Sequence, residues 1–118
     1  MRRDPRCPLA DVDQAAADIA RFVRGLDSSA YVGNALVQAA VERKFEIIGE
    51  ALNRLRNDHP EVAERIPQLR RIVDFRNFLI HAYDRVEPDR VWTHARHDLL
   101  ELHRTVQAPL SELGPPKD

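Results

Sequence analysis

The sequence predicts an all-α protein, an antiparallel bundle of four main helices with one short helix among them. Three observations predict it. Apolar residues recur three or four positions apart through most of the chain, which is the period of a helix face turned toward a core. No segment alternates apolar and polar residues with the β-branched enrichment that a strand requires, and no internal repeat is visible. Prolines stand at 8, 60, 67 and 88, where each opens a helix rather than interrupting one.

Pro8 starts a first helix running to about Arg24, with Val12, Ala16, Ile19, Ala20 and Val23 on one face and Gly25 just past its end. Asp27, Ser28 and Ser29 are turn and cap residues. Residues 30 to about 57 then read as one long helix, free of proline. It carries two apolar stripes, Leu36, Ala40, Ile47, Ala51 and Leu55 on one and Val37, Val41, Phe45, Ile48 and Leu52 on the other. Two stripes imply packing against more than one neighbour. A short helix is expected at about 60 to 65, and a fourth from Pro67 to about His81. After a connection from Asp84 to Glu87, Pro88 opens a fifth helix whose face is Val91, Ala95, Leu99, Leu102 and Val106.

With 118 residues, 43% hydrophobic and 31% charged, the chain has the length and composition of one globular domain. That domain is expected to occupy 1–118, with 1–8 and 108–118 as flexible ends. A net charge of −1 excludes the broad positive field of a protein that coats nucleic acid, so any contact with RNA or DNA must be local. Charges break every apolar run short of the roughly 20 residues that a membrane span needs, so no membrane partner is expected. MRRDPRCPL lacks the apolar core of a signal peptide, and a cytoplasmic location is expected. Cys7 is the sole cysteine, which excludes an internal disulfide and reads as an inert thiol.

The informative segment is RNFLIHAYDR, residues 76 to 85, where Arg76, Asn77, His81 and Tyr83 interrupt a run otherwise fit for a core helix. At about 100° per residue, Arg76 and Tyr83 share one helix face and Asn77 and His81 the adjacent one. Asp84, Arg85 and Pro88 signal a helix end, which puts His81 and Tyr83 at the rim of the bundle. Such a set suits RNA cleavage without a metal. Histidine as a residue type exchanges protons near neutral pH and can serve the 2′-hydroxyl and the leaving oxygen. Arginine stays charged and grips phosphate with two parallel N–H groups. Asn77 could hold the scissile phosphate or orient His81. One chain supplies one such histidine, and a symmetric dimer would supply two. The same residues also fit a bland reading, with Arg76 paired to Asp74 or Glu87, His81 favoured by the helix dipole and Tyr83 packing.

RNFLIHAY, preceded by ERKFEIIGEAL in the long helix and followed by DRVEPDRVW, resembles the HepT group of HEPN-domain proteins, the toxin half of HEPN/MNT toxin–antitoxin pairs. The resemblance runs over roughly residues 9 to 107. It implies a type VII-like toxin: a homodimeric endoribonuclease that uses neither metal nor cofactor and lines a shared cleft with Arg76 and His81. It also implies a partner nucleotidyltransferase antitoxin of the MNT type that transfers AMP onto Tyr83. A phosphate on that phenol beside Arg76 would occupy the place of the substrate phosphate. Gln68 departs from the pattern, since relatives often carry Trp after the proline that opens the motif helix.

Glu46 and Glu50 lie one turn apart on the stripe of Arg43, Asn53 and Asn57. Pairing with Arg43 competes there with an acid/base role, and the resemblance adds that Glu46 and Glu50 border the cleft or the dimer seam, with Arg43 expected beside them. Gly49 is expected to admit another helix at close range. His94 and His97 stand three apart, a spacing that could place two imidazoles on one metal, but no Cys or third ligand accompanies them. With His103 they read as solvated, and a purely structural bundle with a metal on His94 and His97 is the alternative. Trp92 is expected to pack near the motif helix. Arg70, Arg71, Arg76, Arg85 and Arg90 form a local basic rim for RNA phosphates. A different class remains open: a non-catalytic helical module that docks a nucleotidyltransferase and only presents Tyr83.

Overall fold

The computed structural model describes residues 4–114, the side chain of Tyr83 excepted. The first helix, α1, spans Arg6–Val23 and buries Leu9, Val12, Ala15, Ala16, Ile19 and Val23 along one stripe. It begins before Pro8, and Gly25 follows it at φ 79°, a left-handed conformation that glycine adopts without a Cβ clash.

The long second helix expected from residue 30 is two helices. A short α2, Ser28–Val32, ends at Gly33, and α3, Ala35–Asp58, starts anew behind Asn34. Asn34 leaves the helical region at φ −122° and ψ 90°, and its side chain accepts from the Val37 N–H at 3.1 Å. Gln38 reaches back from α3 to donate to the carbonyls of Tyr31 (2.9 Å) and Val32 (2.8 Å). Side-chain hydrogen bonds thus satisfy backbone groups that a continuous helix would have paired. The joint also turns Leu36 to solvent, 81% exposed, although it belongs to an apolar stripe. The rest of α3 is held on two sides, through Val41, Phe45, Ile48, Ala51, Leu52 and Leu55.

Pro60–Ala63 form the short α4, with Pro60 in its first turn. The motif helix, α5, spans Leu69–His81 and starts at Gln68, whose buried side-chain oxygen has no hydrogen-bond partner. Ala82 departs from the helix at φ −132° and ψ 36°, and a 3-10 turn follows at Tyr83–Arg85. The expected fifth helix is a continuous run in three parts: α6 at Pro88–Thr93, a π turn at His94–Asp98 and α7 at Leu99–Leu113. It extends into the segment expected to be flexible, with Pro109 buried within α7.

The protein is all-α, with no strand among the described residues. α3 is the central element, packed along α1 on one side and α5 on the other, while α7 lies on α1 and α2 on α6. Phe45 and Phe75 meet edge to face at 5.2 Å and 89° across the α3–α5 seam, the arrangement that ring quadrupoles favour. No helix among the described residues is long and apolar enough to cross a membrane.

Candidate active site

The α3–α5 seam positions the motif residues. Gly49 faces the stem of Arg76, and a Cβ on Gly49 would collide with Arg76 Cβ and Cγ. The missing side chain lets α5 lie close enough for Arg76 to pass over α3. Its guanidinium then forks. One terminal nitrogen pairs with Glu50, and the other donates to Asn77 Oδ1 at 2.8 Å. Its Nε is buried without an acceptor, and the side chain as a whole is 20% exposed. Neither Asp74 nor Glu87 is the partner, because Arg76 points toward α3 and not along its own helix.

His81 closes α5 in an exposed position. One turn separates it from Asn77, so the two side chains share a face. Arg76 lies on the adjacent face, and its bond to Asn77 brings its charge round toward the imidazole's side. Asn77 therefore joins the arginine to the side of the helix that carries the imidazole.

A groove of about 360 Å³ runs beside Arg76, lined by Arg43, Glu46, Glu50, Arg54 and Ile80 among others. Arg43 pairs with Glu46 at 3.1 Å, and Glu50 pairs with Arg54 at 3.3 Å as well as with Arg76. Within this groove the charges nearly cancel. Outside the groove, burial, followed by repulsion from Glu46, pushes the Glu42 carboxyl above its ordinary range.

Other expected residues are dispersed. Arg71 is tied to Asp98 at 3.2 Å on the far side of α5, and Arg85 is exposed in the 3-10 turn. The helical relation expected between Arg76 and Tyr83 does not hold, because α5 ends at His81. The side chain of Tyr83, and with it the expected modification site, lies outside the described residues.

Trp92 packs on Tyr31 of α2, ring centroids 5.3 Å apart, where α6 docks against α2. His94 is not a solvated surface residue. Its ring stacks on Phe75 at 4.0 Å and its Nδ1 lies 2.5 Å from Asp98 Oδ2, while His103 Nε2 lies 2.9 Å from Asp13. The π turn widens the helix at this point, and such turns often accompany functional sites. The i, i+4 spacing of His94 and Asp98 was the available sequence signal for the pair. Among the described residues, no three His, Cys, Asp or Glu side chains gather as a metal site would require.

Residues 12–109 match the family described as HepT-like, Ribonuclease HepT-like. The chain is 30% identical over 106 residues to "Putative RNase MJ1380" of Methanocaldococcus jannaschii, covering 90% of this chain and 96% of the relative. It is 32% identical over 102 residues to "Probable ribonuclease HepT" of Thermococcus cleftensis, covering 86% of this chain and 92% of that protein. No solved structure gives a significant match.

Proposed function

We propose, since the chain belongs to the ribonuclease HepT-like family, that it is an endoribonuclease toxin acting as a homodimer. The observation that carries the proposal is the Arg76–Asn77 hydrogen bond on a helix that ends in an exposed His81. Two copies of that helix facing one another would supply two guanidinium groups and two imidazoles to one strand of RNA. One His81 takes the proton of a ribose 2′-hydroxyl as that oxygen attacks phosphorus. The phosphorus–5′-oxygen bond breaks, and His81 of the second copy protonates the departing oxygen. The products are a 2′,3′-cyclic phosphate and a free 5′-hydroxyl. Arg76 binds the phosphate and the charge that gathers on it in the transition state, and Asn77 positions that arginine. These steps call for no metal and no cofactor.

In the same reading, an MNT-type nucleotidyltransferase neutralises the toxin by transferring AMP onto Tyr83. The tyrosine follows His81 by two residues, so an added phosphate would compete for the cations that serve the substrate.

The purified protein is expected to cut RNA in the presence of EDTA, and His81→Ala to abolish the cut while leaving the helical circular dichroism intact. Equal cleavage by that variant would assign the activity to a contaminant. The engagement of Arg76 by Glu50 favours a second reading, a non-catalytic module that docks the nucleotidyltransferase. Expression in a bacterial host without the partner separates the two, because a nuclease arrests growth and a docking module does not.

A further inference from the structure

A cavity of about 650 Å³ lies on the side of α5 away from Glu50, between that helix and α6 with the π turn. That volume falls within the range of about 300–1,000 Å³ typical of small-molecule sites. Arg70, Asp74 and Phe78 line it at successive four-residue steps along α5, and His81 follows three residues later. Residues at those spacings form one stripe on a helix. His81 does not line the cavity but continues the same stripe one turn beyond Phe78.

Its lining combines a flat stacking surface with both kinds of hydrogen-bonding edge. Arg90 lays its guanidinium over the Phe78 ring, 4.8 Å from the centroid, and a planar cation seated on an aromatic ring is a platform on which nucleobases stack. Arg70, Asp74 and Glu101 form no ion pair among the described residues. Arg71, by contrast, is already held by Asp98. The buried oxygen of Gln68 bonds to nothing, so turning that amide toward the cavity sacrifices no hydrogen bond there.

We propose that this cavity is a base subsite for guanine in single-stranded RNA, a proposal that rests on the ribonuclease reading above. Guanine presents two adjacent donors, N1–H and the exocyclic amine, and two adjacent acceptors, O6 and N7. Asp74 accepts from the donor pair and Arg70 donates to the acceptor pair, while Arg90 on Phe78 stacks the ring. Adenine, cytosine and uracil each lack one half of that pattern. A base held at Phe78 sets its own ribose and phosphate one turn along α5 toward His81, which makes the subsite a determinant of where the strand is cut.

The test uses the full-length His81→Ala protein, so that binding is read without cleavage. Isothermal titration with GMP, AMP, CMP and UMP is expected to rank GMP first, about tenfold tighter than UMP. Asp74→Asn and Arg90→Ala, both changes at exposed positions, are each expected to weaken GMP binding by about as much. Phe78→Leu keeps an apolar side chain in the helix and is expected to remove the preference by removing the stack. Equal affinity for the four nucleotides, a preference for another base, or GMP binding undiminished in both exposed variants overturns the proposal. Mapping cut sites with the unmodified protein separates this proposal from the one beneath it. Cleavage without guanine bias, joined to equal nucleotide binding, removes the subsite and keeps the ribonuclease. Selective GMP binding by a protein that never cuts RNA keeps the subsite and removes the ribonuclease.

Discussion

The stem of Arg76 lies against the bare Cα of Gly49, in the space a Cβ would fill. An arginine that is 20% exposed thereby crosses from α5 to Glu50 on α3 without forcing the two helices apart. Glycine in a helix interior costs roughly 1 kcal/mol relative to alanine. The close approach of the motif helix is what this cost provides.

Gly49→Ala is accordingly expected to destabilise the protein, against the usual gain from alanine in a helix. Overpacking costs about 1–3 kcal/mol, which exceeds the propensity gained. Urea denaturation should show a lower midpoint, and RNA cleavage should fall with it because Arg76 is displaced. A variant more stable than the parent would refute the close contact.

Glu50→Gln is expected to leave stability nearly unchanged, because the Glu50 side chain is 45% exposed and such ion pairs contribute about 0–1 kcal/mol. It frees one nitrogen of the Arg76 guanidinium for a phosphate and removes a negative charge from the groove. A filter-binding measurement with the His81→Ala background should then show several-fold tighter RNA binding at low salt. Weaker binding would mean that Glu50 orients the arginine and does not compete for it.

Asp18 is a buried carboxylate that gathers Lys44 Nζ at 3.0 Å, Gln14 Nε2 at 3.0 Å and Arg21 at 3.2 Å. The hydrogen bond from Lys44, then that from Gln14, holds its carboxyl below the ordinary range. A group whose folded-state pKa is depressed contributes its stability above its unfolded pKa of about 4 and loses it as the pH falls through the folded value. Asp18→Asn is therefore expected to lower the melting temperature at pH 7 and to flatten the acid limb of the stability profile. An acid limb of unchanged slope would place the coupling elsewhere.

Much of the fold was legible because its signals are local. The recurrence of Val12, Ala16, Ile19 and Val23 announces a helix wherever the rest of the chain lies, and the prolines at 60 and 88 stand in the first turns of the helices they open. The motif could be read for the same reason: Asn77 and His81 share a face by helical period alone. The break at Gly33–Asn34 is not marked by a proline, so the segment reads as one helix. Gly33 and Asn34 are the stop and cap residues that signal it, and the bonds of Asn34 and Gln38 fix it once α3 turns away from α2.

The charge partners were decided by docking. Sequence spacing offered Arg76 the neighbours Asp74 and Glu87, yet the geometry of the α3–α5 seam gave it Glu50, and the docking of the π turn on α5 gave His94 a stack on Phe75. A helix's period and caps depend on residues within a turn of each other, so the chain carries them along its length. Which guanidinium meets which carboxylate depends on the distance and angle between two helices, and those exist only after the core has packed.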